Sequence, residues 1–210
     1  DLTPPLFTRS GRFIDPQGRH VILHGINLVN KDPAQGYLGG EGLAEFDALR
    51  RWGFNCLRLG VIWDGLEPEP GALNEAYLRG LDRQVEMARA CDLYVVLDMH
   101  QDLFSALYAD GAPAWATLTG GQPHIDLGGG GSDAYFTSPA GQAALDSFWD
   151  NAPAPDGVGL QDHYARAWQA LAARYAGDPA VIGYDLMNEP FPGSASAPSQ
   201  LMLFEKGAKL

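Results

Sequence analysis

Four short, nearly continuous apolar stretches alternate along this chain with segments that are apolar on one helical face only. The apolar stretches are VILHGIN, FNCLRLGVIW, YVVLDMH and VIGYDLMNE, and the helical segments are GLAEFDALRRWG, NEAYLRGLDRQVEMARACDL and LQDHYARAWQALAARY. Strands covered by helices on both faces lose the usual alternation of apolar and polar residues. This order predicts parallel βαβ units and therefore an α/β fold.

Two segments interrupt this rhythm. The turn sequence DPQGR predicts a short hairpin that leads into the first core strand. A long segment without a predicted element, from Gln101 to about Val158, separates the third strand from the last helix. No internal sequence repeat accompanies the alternation.

Length and charge restrict the function classes. A chain of 210 residues is long enough for one domain with a sizeable core. The net charge of -12 argues against nucleic acid as a partner and against electrostatic adhesion to an anionic membrane. A neutral ligand such as a sugar is compatible with it. No apolar stretch approaches the roughly 18 residues of a membrane-spanning helix.

The two cysteines and the N-terminal residues bear on whether the protein is secreted. Cys56 lies in an apolar stretch and Cys91 near the end of an amphipathic one. Two buried thiols or one disulfide both fit this pattern. The opening DLTPPLFTRS is typical of a mature or trimmed start, so we expect a secreted protein whose signal peptide has been removed.

Polar residues gather where the predicted strands end. They are Asn27 and Asn30 after the first strand, Arg58 in the second, His100 and Asp102 at the third, and Asn188 and Glu189 at the fourth. The carboxyl ends of parallel strands carry the active site in β/α barrels, and ligands bind there in open sheets too. No glycine-rich phosphate motif follows the first strand, so nothing favours a nucleotide ligand.

Glu189 is the strongest catalytic candidate. A general acid needs a carboxyl group that is held rigidly and partly removed from water, and a strand end above a barrel provides both. Asn188 beside it can donate a hydrogen bond to a substrate hydroxyl or orient a carboxylate. The alternative is a surface glutamate at the start of a loop.

His100 and Asp102 allow three interpretations. A His-x-Asp pair occurs in metal sites, but no second histidine cluster supports one here. The pair can also hydrogen-bond a polyhydroxylated ligand or tune a carboxylate. The third interpretation is a histidine that is satisfied within the core.

Arg58, a charged residue inside an apolar strand, needs a partner acid because an unpaired buried charge is costly. It supports either a catalytic carboxylate or a structural ion pair. Lys31 and Asp32 read by default as a solvated loop pair. Trp63, Trp115 and Trp149 either stack on sugar rings or belong to the core.

These residues together resemble glycoside hydrolase family 5, a family of retaining β-glycosidases. The resemblance rests on LRLG in the second strand, DMH at the end of the third and NEP at the end of the fourth. The longer stretches LHGINLVNK, FNCLRLGVIWDGLEPEPG, VVLDMHQDLFS, DGAPAWA and YDLMNEPFPG are similar to the endoglycoceramidase branch of that family. The resemblance extends from about Gly11 to Gly193.

The resemblance implies a (β/α)8 barrel that cleaves the bond between glycan and ceramide in glycosphingolipids and releases the glycan intact. It implies Glu189 as the acid/base, with Arg58, His100 and Asn188 around the carboxylates, and it suggests Lys31 and Asp102 as sugar contacts. It implies no cofactor or catalytic metal. The alternatives are another family 5 β-glycosidase, such as a β-glucanase or a lipid β-glucosidase, and a non-catalytic half-barrel.

One departure from the family concerns the nucleophile, a second glutamate expected at the end of a seventh strand. Glu205 follows the fourth strand too soon for that role. Eight strand–helix units take about 250 residues, so we expect residues 1–210 to supply about the first four units, the N-terminal half of the catalytic domain.

That half is expected to be inactive alone, with the nucleophile on a second polypeptide or a missing segment. A lipid substrate also needs an apolar surface beside the rim of strand ends, and the loop Leu103–Ala116 is one candidate wall. The alternative is ordinary packing of this loop.

Overall fold

The structure, a computed structural model, describes residues 4–125 and 137–194 of the chain. The strands are β1 (Phe7–Arg9), β2 (Arg12–Ile14), β3 (His20–Val21), β4 (Gly25–Leu28), β5 (Cys56–Ile62), β6 (Tyr94–His100) and β7 (Val181–Asp185). The α-helices are α1 (Leu43–Arg51), α2 (Trp63–Leu66), α3 (Glu75–Ala90), α4 (Pro139–Trp149) and α5 (Leu160–Tyr175). Single 3-10 turns occupy Pro33–Gln35 and Ala114–Ala116.

The four predicted core strands form one sheet in the order β4-β5-β6-β7. Strand β4 runs parallel to β5, and β6 runs parallel to β7. In sequence, α1 connects β4 to β5, α3 connects β5 to β6, and α5 connects β6 to β7. The predicted α/β order is confirmed. Most residues of β5 and β6 are buried, as their near-continuous apolar sequence requires.

The predicted hairpin is confirmed, with β2 and β3 antiparallel and Phe13 opposite Val21. The Asp15 carboxylate fixes its turn by accepting hydrogen bonds from the main-chain N–H groups of Gln17 and Arg19. Strand β1, which pairs with β2, was not predicted. The first core strand is shorter than VILHGIN because only Gly25–Leu28 pairs with β5.

Two α-helices within the described residues were missed. Trp63, predicted as the end of a strand, begins the short helix α2. Helix α4 lies inside the segment predicted to be a long loop. Its start follows a recognisable pattern, since the Ser138 hydroxyl accepts a hydrogen bond from the Gly141 N–H and Pro139 occupies the first turn. Trp149 is therefore the last residue of a helix.

The described residues group into two compact units. Unit 1 is made of the described parts of Asp1–Val61, Glu75–Asp98 and Leu171–Leu186, and unit 2 of those of Ile62–Asn74, Met99–Ala170 and Met187–Leu210. Buried side chains of unit 1 include Leu57, Leu59, Leu81, Val95 and Leu97. Those of unit 2 include Trp63, Met99, Phe104, Phe148 and Tyr164.

The structure shows the state of the cysteines and the length and polarity of the helices. Cys56 is buried, Cys91 is partly buried, and both are free thiols. Burial raises the pKa of the Cys56 thiol above its ordinary value. Across residues 4–125 and 137–194, every helix is too short or too polar to cross a membrane.

Candidate active site

Arg58 of unit 1 forms ion pairs with two acids on neighbouring strands. Its Nη1 lies 2.9 Å from Asp98 Oδ2, and its Nη2 lies 2.7 Å from Asp185 Oδ2. A further bond of 3.0 Å joins Nε to the same Asp185 oxygen. Asp98 on β6 and Asp185 on β7 stand directly opposite each other in the sheet register, so one guanidinium can reach both.

The predicted requirement for a partner acid is therefore met twice. The Asp98 side chain is 0% exposed, and that of Asp185 is 39% exposed. Sequence reasoning named neither aspartate. The signal was present, because each is a charged residue inside an apolar strand, the same feature that identified Arg58.

Lys31, also in unit 1, follows β4 on a loop that is hydrogen-bonded on both sides of it. Asn30 Oδ1 accepts from the Asp32 N–H at 2.8 Å, and Asn30 Nδ2 donates to Leu38 O at 3.1 Å. The Asp32 carboxylate accepts from the N–H of Ala34 at 2.8 Å and so caps the 3-10 turn. The exposed Lys31 is thus carried by an ordered segment.

In unit 2, Asn188 and Glu189 lie beyond the strand rather than on it, since β7 ends at Asp185. The Asn188 N–H nevertheless donates to Met99 O at 3.0 Å. Asn188 is buried, and its Nδ2 donates to Gln101 O at 3.1 Å. Glu189 is exposed and has a left-handed backbone with φ of 43°. The candidate acid is therefore presented by a fixed turn after the strand. Its expected partial removal from water is not provided by the described residues, because Glu189 is exposed.

His100, Asp102 and Asp110 of unit 2 form the group of described residues best arranged to hold a metal ion. Their potential ligand atoms all lie within 4.8 Å of one another. Sequence reasoning named His100 and Asp102 but missed Asp110, which pairs with Asp102 in an isolated antiparallel bridge. Asp110 Oδ1 accepts from the Asp102 N–H at 3.1 Å. The same atoms suit the hydroxyl groups of a polyhydroxylated ligand.

The tryptophans differ in their surroundings. Trp63 is buried among Trp115, Phe148 and Tyr164, so it belongs to the core. Trp115 is partly buried and donates its indole N–H to Glu67 O at 3.1 Å. Trp149 is 8% exposed and donates to Phe191 O at 2.8 Å. The rings of Trp115 and Trp149 are thus anchored, and their role as sugar contacts stays a prediction.

A network of polar side chains around the buried His163 in unit 2 was missed altogether. Glu67 Oε1 lies 2.8 Å from His163 Nδ1, and Asp156 Oδ1 lies 3.2 Å from His163 Nε2. Glu67 Oε2 also accepts from the Trp63 indole at 2.8 Å. The backbone N–H of Val158 and the ring of His163 hold the pKa of the Asp156 carboxyl below its usual range.

Each unit thus contains part of the predicted site. Unit 1 contains Arg58 and Lys31. Unit 2 contains the other predicted residues, namely His100, Asp102, Trp115, Trp149, Asn188 and Glu189. Glu205, which the sequence argued against as nucleophile, lies outside the described residues.

A family model described as "Cellulase (glycosyl hydrolase family 5)" matches residues 15–203. The chain belongs to glycosyl hydrolase family 5. Its predicted resemblance to the endoglycoceramidase branch is confirmed by its relatives. It is 40% identical over 185 residues to "Endoglycoceramidase I" of Rhodococcus hoagii (strain 103S). The match covers 86% of this chain and 36% of that relative.

Solved structures agree with this assignment. The structure titled "Crystal structure of endogalactoceramidase" matches 97% of this chain and 48% of its own, with a TM-score of 0.82 and 33% identity. "Endo-glycoceramidase II from Rhodococcus sp.: Ganglioside GM3 Complex" matches 93% of this chain and 47% of its own, with a TM-score of 0.78 and 31% identity. The fold class is that of the family, the (β/α)8 type, and the chain spans less than half the length of these proteins.

Proposed function

We propose that this family 5 chain contributes the acid/base part of a retaining β-glycosidase that cleaves the bond between glycan and ceramide in glycosphingolipids. The observation that carries the proposal is the turn after β7, where a buried Asn188 adjoins an exposed Glu189. The relatives named endoglycoceramidase and the structure titled as a ganglioside complex support the substrate class.

In this mechanism Glu189 acts twice. It first protonates the departing ceramide oxygen while a second carboxylate attacks the anomeric carbon. It then takes a proton from the water that releases the glycan. Retaining enzymes hold the two carboxyl groups about 5 to 5.5 Å apart. The Asn188 amide carries two N–H groups, and we assign it a hydrogen bond to the 2-hydroxyl of the reacting sugar.

The nucleophile is proposed to come from a further segment or a second polypeptide. In that arrangement residues 1–210 form the N-terminal half of the catalytic domain, and this chain alone is inactive. Arg58 and His100 are assigned to the surroundings of the two carboxylates. Lys31 and Asp102 are assigned as sugar contacts, and Trp115 and Trp149 as stacking surfaces for sugar rings.

The lipid part of the substrate needs an apolar surface, and we assign one to the loop Leu103–Ala116. Leu107 in this loop is 57% exposed. Tyr108 beside it stacks on His124 with ring centroids 4.1 Å apart, so the exposed leucine is carried by an ordered segment. Transient contact with a membrane surface, a role in lipid metabolism and secretion belong to the same proposal.

The test is Glu189→Gln in a polypeptide that carries this chain within a complete barrel. We expect kcat on a ganglioside to fall by about 10² to 10⁴ because general acid–base catalysis is lost, while ganglioside binding is retained. Glu86→Gln, which changes an exposed glutamate on α3, is the matched control. A near-normal kcat for Glu189→Gln would contradict the assignment.

The products distinguish the proposal from other family 5 activities. Intact glycan and free ceramide from a ganglioside support it, whereas cleavage of cello-oligosaccharides with no action on gangliosides supports a β-glucanase. The group of His100, Asp102 and Asp110 favours one further candidate, a metal-dependent hydrolase. We expect activity to survive dialysis against EDTA, and loss of activity that added divalent cations restore would favour that candidate instead.

A further inference from the structure

The side-chain amide of Gln101, which follows β6, forms hydrogen bonds with three main-chain groups of unit 2. Its Nε2 donates to Asn188 O at 2.6 Å and to Glu189 O at 3.1 Å. Its Oε1 accepts from the Phe104 N–H at 2.6 Å. The side chain is buried, since the residue is 4% exposed. An amide has two N–H donors and one carbonyl acceptor, and here all of these groups are directed at the main chain.

Asn188 returns the contact. Its Nδ2 donates to the main-chain oxygen of Gln101 at 3.1 Å, and its own N–H donates to Met99 O. The turn after β6 and the turn after β7 are therefore tied together by side-chain amides in both directions. The orientation of Asn188, which the proposed mechanism uses, depends on the position of Gln101.

The main chain held in this way is strained. Glu189 has φ of 43°, and on the other side of Gln101 the residues Leu103 and Phe104 have φ of 56° and 69°. Side chains other than glycine seldom adopt this region, and such conformations persist only where the surroundings impose them. Gln101 binds the carbonyl of the first strained turn and the N–H of the second.

Gly111 packs closely against the Cα and Cβ atoms of Gln101. A Cβ atom added at Gly111 would lie 2.6 Å from Gln101 Cβ and 2.7 Å from Phe104 O. Glycine at this position, where φ is 117°, therefore lets the loop lie directly against the Gln101 stem. The base of the Gln101 side chain is thus packed against Gly111, while its amide is held by the hydrogen bonds.

We propose that Gln101 is a positioning residue, which aims the carboxyl group of Glu189 by fixing the main chain of Asn188 and Glu189. The inference rests on the proposed function, in which Glu189 is the acid/base. An error of about 1 Å in the placement of a catalytic group can cost about 100-fold in rate. Because a carboxamide does not titrate, this support stays the same while Glu189 gains and loses its proton.

The first test is Gln101→Met in a polypeptide that carries this chain within a complete barrel. Methionine has a similar shape but removes all three hydrogen bonds. We expect kcat on a ganglioside to fall by roughly 10-fold to 100-fold. KM should change by less than about threefold, because Gln101 does not touch substrate and the Asn188 contact that it supports strengthens mainly in the transition state.

Gln101→Glu gives a readout that a purely structural role would not produce. The glutamate keeps the acceptor for the Phe104 N–H but, when ionised, donates to neither carbonyl. Its protonated form regains one donor. We therefore expect kcat relative to the unaltered enzyme to rise as the pH is lowered. The rise should begin above roughly 4.3, the ordinary pKa of a glutamate, because burial beside two carbonyl oxygens raises the pKa of this carboxyl group. This variant also decides the matter if Gln101→Met does not fold.

The matched control is Asn55→Leu in unit 1. The Asn55 amide also binds main chain, with Nδ2 donating to Ile22 O at 2.9 Å and Oδ1 accepting from the His24 N–H at 2.7 Å. Its loss should lower stability with kcat unchanged. A Gln101→Met enzyme with kcat within about twofold of normal, or a Gln101→Glu ratio that does not vary with pH, would overturn the inference.

The outcomes separate this inference from the proposed function. If Glu189→Gln is fully active, the proposed function is wrong. If Glu189→Gln is inactive while Gln101→Met and Gln101→Glu behave like the unaltered enzyme, the function stands and only the role of Gln101 is wrong.

Discussion

The two units hold the polar groups of the predicted site by different means. In unit 1, Arg58 pairs with both Asp98 and Asp185 through ion pairs of 2.9 and 2.7 Å. In unit 2, Asn188 and the main chain of Glu189 are held by hydrogen bonds from a neutral amide, that of Gln101. One cluster depends on charge, and the other on shape and hydrogen bonds between uncharged groups.

The difference fits what each group has to do. A buried carboxylate such as Asp98 needs a nearby cation because burial of an isolated charge is costly. An acid/base residue must change its charge in every catalytic cycle. A support made of neutral groups does not respond to that change, whereas a support made of ion pairs would strengthen and weaken with it.

The largest effect is expected when the charged cluster is broken. Arg58→Met removes the cation from beside the fully buried Asp98 and should lower the free energy of unfolding by about 3 kcal/mol. Urea denaturation at neutral pH measures this loss.

The matched control is Arg174→Met. Arg174 pairs with Asp82 at 2.6 Å, but both side chains are 29% exposed, so about 1 kcal/mol is expected. Equal losses for the two variants would mean that burial of Asp98 does not set the strength of the Arg58 cluster.

A smaller effect is expected when the neutral cluster is disturbed by size alone. Gly111→Ala places a methyl group against Gln101 and Phe104 and adds strain at φ of 117°. We expect it to lower the free energy of unfolding by about 2 kcal/mol. Gly120→Ala, at φ of 59° with no atom within 4 Å of the added Cβ, should cost about 1 kcal/mol from backbone strain only. Thermal unfolding of both variants, repeated at high salt, tests this. A loss for Gly111→Ala that salt abolishes would contradict a neutral cluster.

The smallest expected effect is a difference in pH dependence between groups held by ion pairs and groups held by neutral hydrogen bonds. The Arg174 guanidinium, through its hydrogen bond, holds the pKa of the Asp82 carboxyl in unit 1 below its usual value. A lowered folded-state pKa adds stability that is present above the unfolded value of about 3.9 and is lost as the pH falls through the folded value.

We therefore expect Asp82→Asn to cost about 1 kcal/mol at pH 7 and less than that in acid. The cost of Gln101→Met should be the same at both pH values. Urea titrations of the two variants at pH 7 and pH 3 measure the contrast, and a pH-dependent cost for Gln101→Met would show that charge contributes to the neutral cluster.

Local patterns predicted the regular elements well. Strand β6 and helix α5 have the bounds of the sequence stretches YVVLDMH and LQDHYARAWQALAARY, because periodicity and flanking breakers are local properties. Helix α4 was missed although Ser138 and Pro139 mark its start. The surrounding segment contains many glycine and proline residues, which indicate turns, and the apolar periodicity of α4 is short. No helix was therefore predicted there.

The details of the site depend on contacts that no local pattern contains. The need of Arg58 for an acid could be predicted, but its partner Asp185 lies 127 residues away. Glu189 could be recognised as a candidate acid, but its left-handed turn depends on Gln101, 88 residues earlier. Residue types at strand ends therefore predict which groups take part, while their geometry depends on how distant strands are paired.

The packing of aromatic rings around Trp63 has a spectroscopic consequence. Of the five tryptophans, Trp63, Trp115, Trp149 and Trp168 belong to unit 2, whereas unit 1 has Trp52, which is 74% exposed. Tryptophan emission should therefore follow unit 2 almost exclusively, and far-ultraviolet circular dichroism should follow the strands of unit 1 as well. If the two signals change at different denaturant concentrations, the units unfold separately. The shift in tryptophan emission wavelength then reports the unfolding of unit 2, which carries Glu189.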